Sequence, residues 1–330
     1  SKQVQLAFRK ASVCEAITNS DYFGEIANMG DSVKIIKEPE ITVQAYSRGT
    51  TITPQDLDDE DFSLTIDKAN YFAFKVDDIE EAHSHVNFQS LASDRAAYRL
   101  GDQFDQDVLG YLTGFKQSAT HGSPDTVNTT TNGSVAVSTA GTDELLSSMK
   151  IDAAAFGGSA GASLALQPRT GGATDSTPAA GDTFPLTVIA RMSRLLDQQN
   201  VDTQGRWLVV DPVFMELLKD EDSRLFNADF GGSGLQNGQV GTNIHGFRVY
   251  TSNNLPTVGT GPSFTGTNST TNFGMIVAGH DSAVATAEQI NKTETYRDPD
   301  SFSDIVRGMH LYGRKILRPE ALVNAKYHLA

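Results

Sequence analysis

Residues 61–115 have the sequence DFSLTIDKANYFAFKVDDIEEAHSHVNFQSLASDRAAYRLGDQFDQDVLGYLTGF, in which the apolar period changes once, at Asp77. Before Asp77 the apolar residues occupy alternate positions, which is typical of a β-strand with one covered face. After it they recur every three or four positions as far as Phe115, which predicts one face of a helix. The segment therefore predicts a strand followed by a helix from about Asp77 to Gly114, roughly 55 Å long at ~1.5 Å per residue.

The alternation before Asp77 also occurs N-terminal to a turn at residues 47–50, which predicts an extended β-hairpin over residues 41–76. The middle of this hairpin is strongly acidic and its ends are apolar on one face. Because no obvious local core covers that face, we expect a neighbouring subunit to cover it. The residues expected to make this contact are Arg48, Asp56, Asp58, Asp59, Glu60, Asp61, Phe72 and Phe74.

The C-terminal two-thirds of the chain alternates strands and helices without the regular spacing of a doubly wound parallel sheet, which indicates the α+β class. Residues 117–185 are rich in Ser, Thr, Gly and Ala and predict loops and short elements, with low-complexity disorder as the alternative. The clearer predictions are helices at 186–201 and 213–219, strands at 206–212, 247–250 and 273–278, and strand-like residues at 306–327 interrupted by Gly308, Gly313 and Pro319.

Composition restricts the class of protein. The chain has 26 basic and 41 acidic residues, a formal net charge of −15, which opposes the basic surface of a dedicated nucleic-acid binder. No stretch approaches the roughly 20 apolar residues of a membrane span. Cys14 is the only cysteine, which excludes an internal disulfide framework and a cysteine-rich zinc site.

No motif in the sequence predicts catalysis, a cofactor or a metal. The acidic run at residues 56–61 lacks EF-hand spacing, so a solvated or salt-bridged hairpin tip is the favoured interpretation. The histidines lack zinc-binding spacing, since His83 and His85 face different sides of the predicted helix. The Gly-rich segments at 157–161 and 231–234 lack the context of a phosphate-binding loop, and no nucleophile elbow is present.

Four separated segments resemble the major capsid proteins of tailed double-stranded-DNA bacteriophages, which have the Hong Kong 97-like fold. Each is similar to one part of that fold, namely the N-terminal arm, the join between hairpin and spine helix, an axial-domain strand and the closing peripheral-domain strand. The segments are NSDYFGEI with GDSVKI (residues 19–35), YFAFKVDDI (71–79), NGQVG with GFRVYTSNNLP (237–256) and VRGMHLYGRKILRPEAL (306–322).

The resemblance implies an N-terminal arm (1–40), an extended hairpin (41–76), a spine helix and peripheral domain (77–185), an axial domain (186–295) and a return to the peripheral domain (296–330). It also implies a virion shell protein that is assembled in the host cytoplasm into hexamers and pentamers, with trimeric contacts between capsomers. The expected partners are a separate scaffolding protein, a portal, a cement protein in some relatives, and packaged DNA contacted weakly. Some relatives cross-link through a hairpin lysine, but neither Lys68 nor Lys75 has an assignable acid–base partner, and we predict no cross-link.

Three other functions are compatible with the sequence. They are the shell of a cellular nanocompartment with the same fold, a phage or surface adhesin suggested by the Ser/Thr/Gly-rich strands, and an enzyme with an unrecognised site. Electron microscopy separates them, because large closed shells, small uniform shells, and fibres or monomers are distinct products.

Overall fold

The computed structural model of the chain describes residues 12–19, 32–36, 41–49, 51, 54–55, 61–66, 68–77, 88–113, 145–167, 182–219, 243–258 and 273–329. The N-terminal elements are α1 (Cys14–Ile17), β1 (Ser32–Ile36), β2 (Asp61–Thr65), β3 (Lys68–Asp77) and α2 (Phe88–Thr113). The C-terminal elements are β4 (Lys150–Ile151), β5 (Leu164–Leu166), β6 (Asp182–Thr183), α3 (Pro185–Gln198), β7 (Arg206–Val210), α4 (Pro212–Leu218), β8 (Asn243–Ile244), β9 (Phe247–Thr251), β10 (Thr257–Val258), β11 (Phe273–His280), β12 (Val284–Arg297), β13 (Ser303–Ile316) and β14 (Leu322–Leu329).

A nine-stranded mixed sheet forms the centre of the fold, in the order β6–β5–β14–β11–β7–β9–β8, with β10 beside β11 and β4 beside β14. Alternate residues of its central strands belong to two different cores. Leu208 and Ile276 lie in the core shared with α3 and α4, whereas Trp207 and Val277 lie in the core shared with α2. Because both faces are covered, these strands are almost continuously apolar.

Both helices on the first face begin with a proline. Pro185 and Pro212 each occupy the first turn, where the missing N–H has no helical partner to lose. Asp211 caps α4, because its side chain accepts a hydrogen bond from the Phe214 backbone N at 3.1 Å. The predictions of a strand at 206–212 and of a helix at 213–219 are confirmed, with the helix beginning at Pro212.

The long helix α2 covers the second face with Phe104, Val108, Leu109 and Leu112, all of which are buried. The helix is described from Phe88, whereas the sequence predicted a start at Asp77. Strand β3 continues through Asp77, so the change of period marks the end of the strand. The remainder of the predicted first turns, residues 78–87, lies outside the described residues.

A separate three-stranded antiparallel sheet has the order β12–β13–β3. The predicted interruptions at Gly308 and Gly313 are wrong, because β13 passes through both without a break. A Cβ at Gly308 would overlap the Phe72 ring, and one at Gly313 would overlap the Thr65 carbonyl. Both glycines therefore permit close packing within the sheet region, and only Pro319 lies in a turn, between β13 and β14.

The strands of the predicted hairpin pair differently from the expectation. Strand β2 pairs with β1, in the register Ser32↔Thr65 to Ile36↔Asp61, while β3 pairs with β13. The base of the hairpin is thus N-terminal to residue 41, and residues 68–77 belong to the three-stranded sheet. The pairing differs from the expectation because contacts between distant segments determine it: Leu64 and Ile66 pack on Leu311, far away in the sequence.

Each sheet combines strands from distant parts of the chain. Residues 145–183 and 322–329 contribute strands to the same sheet as residues 206–280. Residues 284–316 form the three-stranded sheet with β3. Strand β14 pairs in parallel with β4 and β5, and the paired residues are more than 160 positions apart, so local patterns do not reveal the pairing.

Candidate intersubunit surface

The base of the hairpin is fixed on one face of the three-stranded sheet, close to the C-terminal end of β13. Leu64 and Ile66 are buried there against Ala285, Ala287 and Leu311. The Thr65 carbonyl fits against Gly313, where no side chain intervenes. This packing fixes the direction in which the hairpin leaves the subunit.

The described part of the hairpin beyond its base is exposed and apolar. Ile41 is 69% exposed, Val43 92% and Tyr46 67%, and Arg48 is also exposed in the turn. The backbone N of Thr42 donates to Gln55 Oε1 at 3.0 Å, which holds the two sides of the hairpin opposite each other. Several exposed large apolar side chains on one short segment are typical of a surface that another chain covers.

The acidic contact residues are only partly located. Asp61 is the first residue of β2, whereas Asp56, Asp58, Asp59 and Glu60 lie outside the described residues.

Phe72 and Phe74 lie on β3 and are half-buried within their own subunit. Their rings stack with centroids 6.1 Å apart and an interplanar angle of 13°. They pair with Gly308 and Val306, alternate residues on the same face of β13 as His310, whose ring contacts Phe104 of α2. These two phenylalanines thus contribute first to packing inside the subunit.

The opposite face of the same sheet carries a groove that the sequence did not predict. Its lining includes Tyr71, Tyr296, Met309 and Arg307, and its volume is about 540 Å³. Tyr71 is 80% exposed, and the Arg307 guanidinium lies 5.0 Å from the centre of the Tyr296 ring. These residues come from three strands. Tyr71 on β3 is more than 200 positions from the residues of β12 and β13, and the pairing of β13 with both neighbours brings them together.

The spine helix α2 is joined to β13 by a polar network. The Asp107 carboxylate accepts a hydrogen bond from the Tyr312 hydroxyl at 3.1 Å and pairs with Arg314 at 2.6 Å. Burial, and then the Asp107 charge, raise the pKa of Tyr312 above its ordinary value, so its hydroxyl stays a donor. The Arg314 guanidinium also lies 4.6 Å from the centre of the Tyr111 ring. The network fixes the sheet against the helix.

A second polar cluster, centred on Asp105, fixes the N-terminal segment. The buried Asp105 carboxylate accepts hydrogen bonds from Ser12 Oγ at 3.0 Å, from the backbone N atoms of Val13 and Cys14 at 2.9 Å each, and from Asn254 Nδ2 at 2.8 Å. The cluster joins residues 12–19, α2 and the central-sheet region. An aspartate on the apolar stripe of the predicted helix was the only available signal for it.

The described residues contain no cluster of side chains that could hold a metal ion. His310 Nε2 lies 3.4 Å from a Glu288 carboxylate oxygen, but no three His, Cys, Asp or Glu residues of the described chain converge on a metal position. None of the helices in the described ranges is both long and apolar enough to cross a membrane.

A covered central sheet, a long spine helix, a three-stranded sheet and a projecting hairpin together define the Hong Kong 97-like shell fold. The fold is similar to a structure of Mycobacterium phage Che8 (TM-score 0.68, 24% identity, covering 98% of this chain and 94% of that one). It is also similar to the capsid structure of the cyanophage P-SCSP1u (TM-score 0.66, 18% identity, 99% and 91%) and to the bacteriophage PhiM1 mature capsid (TM-score 0.61, 16% identity, 99% and 90%). No curated protein sequence matches the chain.

A family model described as phage capsid protein matches residues 144–325. The match covers more than half of the chain, which therefore belongs to the phage capsid protein family, and its role is that of a structural major capsid protein in a virion shell. The resemblance found in the sequence is confirmed, and the nanocompartment, adhesin and enzyme alternatives are not favoured.

Proposed function

We propose that the chain assembles with copies of itself into the hexamers and pentamers of an icosahedral phage head that encloses double-stranded DNA. The supporting observation is the exposure of Val43, Tyr46 and Tyr71 on a subunit that buries most of its other described large apolar side chains in its cores. Burial of such side chains contributes about 1.5–3 kcal/mol each, and a closed shell repeats each contact many times.

The hairpin supplies one proposed contact with a neighbouring subunit. Ile41, Val43 and Tyr46 provide apolar area, while Arg48 and the acidic residues Asp56, Asp58, Asp59, Glu60 and Asp61 provide charged partners. The exposed edges of Phe72 and Phe74 complete the set. A neighbour that covers these residues removes the apolar surface that a lone subunit leaves in water.

The proposal also includes other proteins and the packaged DNA as partners of the chain. A scaffolding protein, a portal and, in some particles, a cement protein act with the chain during assembly in the host cytoplasm. The net charge of −15 repels phosphate, so contact with packaged DNA is weak and non-specific. The chain catalyses no reaction and holds no cofactor. Lys75 Nζ already pairs with Asp298 at 2.9 Å, which disfavours a covalent cross-link through this lysine.

Negative-stain electron microscopy of the purified full chain, produced with its scaffolding protein, tests the proposal. We expect closed shells of large triangulation number from the native chain and from a Thr187→Asp control on the exposed side of α3. We expect few or none from Val43→Asp, which places a charge in the contact. Small uniform shells would support a nanocompartment, and fibres or monomers from the native chain would refute the proposal.

We expect the subunits to form no covalent cross-link, and a ladder of covalent multimers on a denaturing gel of the particles would refute that expectation.

A further inference from the structure

One edge of the three-stranded sheet, along β3, has no strand beside it in the subunit. Strand β3 is an outer strand, and among the described residues none makes a backbone hydrogen bond to its open edge between residues 69 and 76. Every second residue of an outer strand directs its N–H and C=O groups to that edge. Residues 69–74 therefore offer a row of unpaired backbone groups about 20 Å long, at ~3.3 Å per residue.

The two outer strands of this sheet differ in charge. Residues 69–74 of β3, with the sequence ANYFAF, carry no charge, whereas β12 carries Lys292, Glu294 and Arg297. Charged side chains protect an open edge from pairing with another chain, and an uncharged apolar edge is a template for a further strand. Tyr71, within this stretch, is 80% exposed. The edge of β3 thus has the properties of a site for strand addition.

A strand-forming segment without a partner lies in the hairpin of the same chain. Residues 41–46, with the sequence ITVQAY, have the β-branched and alternating apolar residues that predict a strand, yet they belong to no strand of the subunit. Within the described residues, their only backbone hydrogen bond is the one from Thr42 N to Gln55 Oε1. The segment carries no charge, and Val43 is 92% exposed. Its length and chemistry match those of residues 69–74.

The hairpin of a subunit does not reach the open edge of β3 in that subunit. The β1–β2 ladder ends at the Ile36–Asp61 pair, and residues 41–46 lie beyond that end. Strand β3 continues from the other end of the ladder and runs along β13 away from it. Because the hairpin and residues 69–74 leave the ladder at opposite ends, the strand that pairs with this edge comes from another molecule.

We propose that residues 41–46 of one subunit add as a fourth strand to the open edge of β3 in a second copy of the chain. The added strand places Val43 beside Tyr71, and a β-branched side chain next to an aromatic one on a neighbouring strand is a favourable pair. One contact then removes both exposed side chains from water. The inference rests on the proposed function, because it names the site and the mode of the hairpin contact between subunits.

Disulfide trapping in assembled particles tests which side chains face each other. Val43→Cys with Tyr71→Cys is expected to give covalent multimers on a non-reducing denaturing gel, because facing residues of paired strands lie within disulfide distance. Gln44→Cys with Tyr71→Cys is the matched control and is expected to stay monomeric, since neighbouring residues of a strand point to opposite faces. Each single variant is also expected to stay monomeric, because the native Cys14 is fully buried.

Proline substitutions in the added segment test the backbone hydrogen bonds. Successive N–H groups of a strand point to opposite sides, so only one of Gln44→Pro and Ala45→Pro removes a hydrogen bond to β3. That variant is expected to lower the yield of particles roughly tenfold, whereas the other is expected to retain it. Because residues 44 and 45 are exposed, the thermal unfolding of the subunit should be unchanged in both variants.

Equal effects of the two proline variants on particle yield would overturn the inference, because contacts between side chains alone do not alternate along the backbone. Equal multimer levels from the Val43 pair and the Gln44 pair, or no multimers from the Val43 pair, would also overturn it. In each of these cases the native chain still forms closed shells, so the proposed function stands. A native chain that forms no shells refutes both.

Discussion

Asp105→Ala is the perturbation whose cost the structure defines most fully. The substitution removes the acceptor of three buried donors, the backbone N atoms of Val13 and Cys14 and the Asn254 side-chain amide. Each buried donor left without a partner costs about 1–3 kcal/mol, so the free energy of unfolding should fall by at least about 3 kcal/mol.

Release of the N-terminal segment limits this loss. If residues 12–19 detach, the donors reach water, but Val13, Cys14 and Ile17 lose their burial. Exposing the two aliphatic side chains, Val13 and Ile17, costs about 3–6 kcal/mol at about 1.5–3 kcal/mol for each. The expected destabilisation therefore lies between about 3 and 6 kcal/mol, with increasing detachment of the segment toward the upper limit.

Urea unfolding of the subunit measures the loss, and hydrogen–deuterium exchange of residues 12–19 reports the detachment. Gln103→Ala, at an exposed position of the same helix, is the matched control and should change the free energy of unfolding by no more than about 0.5 kcal/mol. If Asp105→Ala lowered the free energy of unfolding as little as the control does, and left hydrogen–deuterium exchange of residues 12–19 unchanged, the conclusion that Asp105 holds this segment in place would be refuted.

Three further substitutions test the packing and the electrostatics of the subunit. Gly308→Ala should lower the free energy of unfolding by about 1–3 kcal/mol, because the new methyl group overlaps the Phe72 ring. Adding Phe72→Ala should relieve that overlap, and a double-mutant cycle measured by thermal unfolding checks this. Gly313→Ala should cost more than Gly308→Ala in the same assay, because the obstacle is the Thr65 backbone, which no side-chain change removes. Burial raises the pKa of Asp211 to about 6 from 3.8, so its contribution to stability is complete below pH about 4 and is lost as pH rises through about 6. Relative to Asp211→Asn, the native chain should lose about 3 kcal/mol across that interval in urea titrations, at 1.36 kcal/mol per pKa unit; parallel pH profiles would show that Asp211 is not the cause.

The parts of the fold that sequence predicts well are those set by local patterns. The apolar run before Pro212 and the proline itself specify β7 and α4, since burial on both faces and a fixed first turn are properties of adjacent residues. The change of period at Asp77 locates the end of β3 for the same reason.

The parts that sequence predicts poorly depend on contacts between distant segments. Glycine is unfavourable in an isolated strand, so sequence alone predicts interruptions at Gly308 and Gly313. In the structure, each glycine is required by a close neighbour from another part of the chain. The groove brings Tyr71 next to Met309 through the register of β13, and neither residue signals that register locally.

The central claim, that the function of this chain lies in contacts between its own copies, is tested most directly by a cryo-electron microscopy map of assembled particles at side-chain resolution. The account predicts a closed icosahedral shell of hexamers and pentamers in which Val43, Tyr71 and Phe302, exposed in the single subunit, are buried against neighbouring copies. A shell in which these side chains remain in solvent, or a chain that forms no shell, would contradict it.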